Sequence, residues 1–211
     1  MDIVTVNVKL LINQKKDMIN LDKEFWNNRY VNNETGWDIG EISTPIKEYI
    51  DQLTDKSIKI LIPGCGNAHE AEYLFNHGFN NVFLIDLSPL ALENFKKRVP
   101  KFPLNQLICD DFFIYNDTYD LIIEQTFFCA INPNLRKQYA EHTSSILNKN
   151  GKLVGLLFND KLNEDKPPFG GNSAEYYSTF APYFSIEIME NAYNSIIPRK
   201  DRELFIKMTK K

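Results

Sequence analysis

The stretch Ile58–His69, IKILIPGCGNAH, constrains this chain more than any other: an apolar run breaks off in a glycine-rich turn. About twenty residues beyond Gly66, a second apolar run, Val82–Asp86 (VFLID), ends in a carboxylate. Neighbouring parallel strands that end this way bring a tight backbone turn and an acid to one edge of an open sheet, where a nucleoside is held. Glycine at 64 and 66 lets backbone approach a ligand that a Cβ would block. Asp86 stands where a carboxylate can accept both ribose hydroxyls. The plainer reading is an ordinary strand-to-helix turn with a capping Asp.

From Ile58 the chain alternates strand and helix: ILI, a helix around Ala71–Asn76, VFLI, a helix over Pro89–Arg98, strands at Leu104–Cys109 and Tyr119–Ile123, a helix over Pro133–Leu147 and a strand at Lys152–Phe158. This order predicts right-handed βαβ units, hence an α/β fold with a parallel sheet. Ala174–Phe180 then reads as a helix, and Phe184–Glu190 and Glu203–Met208 as strands. Their connection is too short for a crossover helix, so they should pair antiparallel at the sheet's edge. Upstream, Leu21–Tyr30 reads as a short helix, followed by a loop rich in turn formers. Ser43-Thr44-Pro45 then caps a helix carrying Ile46, Tyr49, Ile50 and Leu53. Lys161–Asn172, with its Pro-Pro and Gly-Gly pairs, reads as a lid.

A length of 211 residues allows one sizeable α/β domain. It is expected over 21–211, behind an extension, 1–20, of unassigned role. In that extension Val4, Val6, Val8 and Leu10 alternate with polar residues, as an extra edge strand or as a tail that pairs with something. A net charge of −4 speaks against nucleic acid as a partner. No apolar run nears the roughly eighteen residues of a membrane span. Ile3–Ile12 lacks a cleavage site for export, so the expected location is cytoplasmic. The three cysteines and three histidines show no metal-ligand spacing, so no metal is expected, and each cysteine reads as a small buried hydrophobe.

A dinucleotide site wants a third glycine where this chain has His69, and Glu70 behind it would repel a pyrophosphate. A nicotinamide-dependent oxidoreductase is disfavoured on that ground. S-adenosylmethionine carries no phosphate but has a sulfonium and an ammonium, which suit an acidic site built from Asp86, Asp110, Asp111 and Glu124. Asp111 could accept from the adenine amino group while Phe112 packs on the ring; alternatively Asp110 and Asp111 cap a turn.

The strings FWNNRYVNNETGWDIGEISTP, PGCGNAHEA, EQTFFCAINPNLR and IIPRKDREL resemble the thiopurine S-methyltransferase superfamily, in particular its halide/thiol methyltransferase branch, from about Leu21 to the C-terminus. The resemblance implies a doubly wound, mostly parallel, seven-stranded Rossmann-like sheet with an antiparallel C-terminal strand. It also implies methyl transfer from S-adenosylmethionine to sulfur or halide nucleophiles. By position it implies that Trp26, Tyr30 and Trp37 cover the cofactor and that Gly64 lies at its methionine end. Asp86 would take the ribose, Asp111 and Phe112 the adenine, and Gln125 would line the floor beside the sulfonium.

The chain departs from the branch at Glu124-Gln125, where Asp-Tyr is common, and in the lid; both departures bear on the acceptor. The expected substrate is a small soft nucleophile, a thiol or thiopurine-like compound or a halide. An oxygen or nitrogen acceptor is the alternative among methyltransferases, and a binding module without turnover is a third class. No catalytic base is assigned: displacement by a thiolate or halide needs none, and Glu124 reads more readily as a structural or cofactor contact. Cys129 reads as packing. Phe127, Phe128, Phe169 and Tyr176 are candidates for an apolar acceptor pocket, and the oligomeric state is not assigned.

Overall fold

Successive residues of a strand face opposite sides of a sheet, and here both sides are apolar. Ile60 and Ile62 join one buried cluster while Leu61 joins another; Leu121 and Ile123 likewise separate from Ile122. A sheet buried on both faces needs helices on both faces. The structure, a computed structural model that describes residues 19–211, supplies them. Helices α2 (Thr44–Asp51), α3 (His69–Asn76) and α4 (Pro89–Arg98) bring Ile46, Ile50, Ala71, Leu74, Leu92 and Phe95 to the first cluster. Helices α5 (Arg136–Ser145) and α6 (Ser173–Phe180) bring Tyr139, Ala140, Tyr176 and Phe180 to the second. The remaining helix, α1 (Lys23–Val31), is capped by Asp22, whose side chain accepts the Phe25 N–H, and packs beside α4.

Strands β1 (Ile60–Pro63), β2 (Val82–Asp86), β3 (Leu107–Cys109), β4 (Tyr119–Gln125), β5 (Leu147–Phe158), β6 (Phe184–Asn191) and β7 (Glu203–Lys210) lie in the order β3-β2-β1-β4-β5-β7-β6. The pairs from β3 across to β5 are parallel. β7 runs antiparallel between β5 and β6. The doubly wound, mostly parallel sheet with its antiparallel C-terminal strand is thus as expected. The order of strands reverses between β1 and β4, which places the binding crevice at their carboxyl ends.

Several boundaries differ from expectation. Leu104–Gln106 is a 3₁₀ turn, so β3 begins only at Leu107; the preceding Pro103 is extended and its carbonyl accepts the Gln106 N–H. The helix expected from Pro133 starts with a 3₁₀ turn and ends at Ser145. β5 starts at Leu147, because β4 pairs Tyr119 with Leu147 before a register shift. Ser43 occupies the N-cap position of α2 as expected, but its side chain makes no cap bond, its Oγ donating instead to Gln125 Oε1 at 3.2 Å. Cys109 is exposed, unlike Cys65 and Cys129, because the short edge strand β3 ends there. The alternating segment Val4–Leu10 lies outside the described residues. Among those described, no helix is long and apolar enough to cross a membrane.

Candidate active site

The turn after β1 has little freedom. Gly64 and Gly66 both take positive φ, 53° and 55°, and a Cβ on Gly64 would sit 2.2 Å from the Phe127 ring. Asp86 ends β2 beside this turn, its Oδ2 accepting the Gly66 N–H at 2.9 Å and its Oδ1 the Ser88 N–H at 2.8 Å. Burial raises the Asp86 pKa against the pull of these backbone donors.

A cavity of about 860 Å³ opens over these strand ends. Seven of the eight sequence-assigned residues line it: Trp26, Tyr30, Trp37, Gly64, Asp86, Asp111 and Phe112. Trp26 and Tyr30 project from α1, and both meet Trp37 edge to face, with centroids 5.8 and 5.9 Å away. The Tyr30 hydroxyl and Trp37 Nε1 converge on Gly66, so these rings cover the glycine turn. Asp111 Oδ1 accepts the Phe113 N–H at 2.9 Å, which fixes the turn that presents Phe112. Phe112 is itself buried and packs edge-on to Phe127 and to half-buried His142. Asp111 thus orders a turn, as one of its two readings has it, and it also faces the cavity.

Gln125 is the exception. With Trp37, Gly64 and Thr126 it lines a small adjoining recess of about 50 Å³, and its Oε1 is engaged by Ser43. Glu124 does not belong to the acidic lining. It is fully buried, with Oε1 accepting from the Phe127 and Phe128 N–H groups at 2.8 Å each and Oε2 from the Tyr139 hydroxyl at 2.8 Å. Burial pushes its pKa up to about 7 despite these donors. It holds the turn after β4, where Thr126, a β-branched residue at φ 62°, faces the cavity. Glu70 is also buried and faces the small recess.

Of the aromatic residues expected around an acceptor, only Phe127 lines the cavity. Phe128 and Tyr176 pack into the core, Tyr176 donating its hydroxyl to the Phe158 carbonyl at 2.6 Å. Phe169 is buried as an anchor of the lid, its N–H donating to the Cys129 carbonyl at 2.7 Å. Leu162, Lys166, Pro167 and Pro168 of the lid do face the cavity. Cys129 lines it too, but burial pushes its thiol up to about 12, which leaves it protonated and unreactive.

The charge of the lining is divided along the sheet edge. Asp86, Asp110 and Asp111 come from the ends of β2 and β3; Lys166, Arg199 and Arg202 come from the lid after β5 and the turn before β7. Asp160 pairs with Arg202 at 2.5 Å and Glu203 with Arg199 at 3.4 Å, yet neither carboxylate lines the cavity. Arg29 and Glu34, from α1 and the loop after it, also line the cavity but pair with each other at 2.7 Å. The ends of β2 and β3 therefore present acid oxygens, and the lid with the turn before β7 presents cationic N–H donors. Among the described residues no group of His, Cys, Asp and Glu could hold a metal.

An acidic nucleoside cradle at the switch point, under an aromatic cover, fits a cationic, phosphate-free cofactor. The family model for thiopurine S-methyltransferase matches residues 21–209. The chain belongs to the thiopurine S-methyltransferase family. It is an S-adenosylmethionine-dependent methyltransferase. It is 26% identical over 185 residues to "Probable thiol methyltransferase 2" of Arabidopsis thaliana, covering 84% of this chain and 81% of that protein. It is 28% identical over 185 residues, with the same shares, to "Thiocyanate methyltransferase 1" of Brassica oleracea. Its fold is similar to that of a TehB-like SAM-dependent methyltransferase from Corynebacterium glutamicum, with a TM-score of 0.65 and 19% identity over 90% of this chain and 98% of that one.

Arg199, Arg202 and Thr126 were given no role from the sequence. The P-R-K-x-R-E and T-F-F-C-A strings of this family carried the signal, the first holding Arg199 and Arg202 just before β7 and the second holding Thr126 just after β4.

Proposed function

We propose that this methyltransferase acts on a small soft nucleophile, a thiolate or a pseudohalide such as thiocyanate. The observation that carries this reading is the division of charge in the cavity: its acceptor end is lined by Lys166, Arg199 and Arg202. Such an end favours a thiolate over its thiol and repels an ammonium. The relatives named for thiol and thiocyanate methylation support it.

S-adenosylmethionine, when bound, supplies an activated methyl group on a sulfonium. Asp86 takes the ribose, Asp111 and Phe112 the adenine, and Gly64 leaves room for the methionine end, with Gln125 reached through the adjoining recess. Trp26, Tyr30 and Trp37 are aromatic rings whose faces favour a cation by about 0.5–2 kcal/mol. Leu162, Pro167, Pro168 and Pro198 exclude water on the acceptor side, so that nucleophile and methyl meet in line. No proton needs to be removed by the protein. Glu124 is engaged by three donors, Cys129 stays protonated, and among the described residues no histidine lines the cavity. An oxygen or nitrogen acceptor, which needs a base, is disfavoured accordingly, because the lining carboxylates Asp86, Asp110 and Asp111 come from the ends of β2 and β3, on the side given to the cofactor, and not from the lid or the turn before β7. Reduced cysteines, none paired in a disulfide, support a cytoplasmic location.

The test is purified protein with labelled cofactor against thiols, thiopurines, thiocyanate, iodide, amines and phenols. Methylation of the first four classes, with a rate for thiols that rises toward their pKa of about 8.5 and a flat profile for thiocyanate, is expected. Methylation of amines or phenols alone would overturn the reading.

A further inference from the structure

We infer that Arg199 is a positioning residue for methyl transfer, holding Trp37 over the glycine turn through the Trp37 carbonyl oxygen. The inference rests on the proposed role of Trp37 as a cofactor cover. Trp37 sits in the irregular segment between α1 and α2, flanked by Gly36 and Gly40, around which a Cβ would meet nothing within 4 Å. The indole packs edge to face on Trp26 and Tyr30 and hydrogen-bonds the Tyr30 hydroxyl, but the open loop that carries it is held from outside, at two consecutive residues.

On one side Arg199 Nη2 donates to the Trp37 carbonyl at 2.6 Å, across 162 residues of sequence. On the other, the Asp38 carboxylate accepts from Asn67 Nδ2 and the Gly40 N–H and meets His69 Nε2 at 2.8 Å. Burial opposes the charge on Asp38, but these donors prevail and hold its pKa below the ordinary carboxylate value. Arg199 is 8% exposed and its guanidinium lies 5.8 Å from the Phe158 ring centroid. Its Nη1 reaches Glu203 Oε1 at 3.4 Å. A planar guanidinium can serve Glu203 and Trp37 together, whereas an ammonium on a shorter reach cannot. The turn before β7, at the acceptor end, is thereby tied to the cover at the cofactor end.

The chain has only two tryptophans, and both line the cavity, so intrinsic fluorescence reads the cover directly. Arg199→Lys keeps a cation beside Glu203; the pair Arg199→Gln, Glu203→Gln, neutral on both sides, is a second variant should the first not fold. Glu203→Gln alone leaves the bond to Trp37 in place. Without ligand, Arg199→Lys should shift emission to the red and raise acrylamide quenching about twofold, and it should weaken S-adenosylhomocysteine binding about tenfold, as expected for loss of a charge-assisted hydrogen bond. Glu203→Gln should leave emission and quenching as in the wild type. Wild-type emission and quenching in both Arg199 variants would overturn the inference, and so would equal changes in Glu203→Gln, which would mean a structural role for the turn. Failure of the wild type to bind S-adenosylhomocysteine would instead overturn the cofactor site, with the ligand-free fluorescence still deciding what holds Trp37.

Discussion

The Oδ2 of Asp86 accepts the Gly66 N–H at 2.9 Å, so the end of β2 and the glycine turn after β1 are held as one piece. Asp86 thus serves the cradle twice, as its brace and as the acid that faces the cavity.

Two substitutions separate these roles. Asp86→Ala should weaken S-adenosylhomocysteine binding by at least about tenfold, since a hydrogen-bonded acid and its brace are both lost. Asp86→Asn keeps one acceptor for a backbone N–H and should retain more thermal stability than Asp86→Ala while still binding weakly. Calorimetry and melting curves check both; unchanged affinity in either variant refutes the ribose assignment.

Gly64→Ala places a methyl group 2.2 to 2.9 Å from ring and Cβ atoms of Phe127, at a φ of 53°. Overpacking together with the left-handed backbone should cost about 2–4 kcal/mol. Denaturant unfolding is the measurement. Gly78→Ala, at φ 86° with nothing within 4 Å of its Cβ, is the comparison that carries the backbone cost alone.

Glu124 keeps its proton up to about pH 7 in the folded protein, against an ordinary value of 4.5. Between these values the native state binds more protons than the unfolded chain, so its contribution to stability is fully present below about 4.5 and is lost as pH rises through about 7. Relative to Glu124→Gln, the wild type should lose about 3 kcal/mol between those limits. Paired unfolding curves across pH 4.5 to 8 check this, and parallel curves would show that Glu124 is not perturbed.

Arg136 is 4% exposed and ties α5 to the lid, donating from Nη1 to Glu175 Oε1 at 2.5 Å and from Nη2 to the Gly170 carbonyl at 2.8 Å. Arg136→Met should cost about 2–4 kcal/mol, because it frees a carboxylate and a carbonyl at once. It should also raise the acceptor KM more than that of the cofactor, as the lid lies at the acceptor end. Equal effects on both would detach the lid from the acceptor.

The fold was legible where the pattern was strong. ILI and VFLID, each closed by a turn, marked β1 and β2, and the short link between the last two strands announced their antiparallel pairing. Leu104–Gln106 was misjudged because three residues of a 3₁₀ turn leave no period to read, and the start of β5 because Asn148, Lys149 and Asn150 carry no apolar signal. At the site, Trp26, Trp37, Gly64, Asp86 and Asp111 were reachable from motif and resemblance. Phe128, Phe169 and Tyr176 were not separable from Phe127, since aromatic rings in a core and in a pocket wall look alike in a string.

Local pattern alone was enough for the α/β class, the glycine turn and the acid after it, because these depend on residues close together in the chain. Folding alone decided that Glu124 supports a turn instead of lining the cavity, and that Arg199 reaches back 162 residues to the carbonyl of Trp37. Burial and long-range hydrogen bonds depend on which strands become neighbours, and β7, though last in the chain, lies between β5 and the edge strand β6. Arg199 and Arg202 line the cavity for that reason: the turn before β7 arrives there through the sheet's topology.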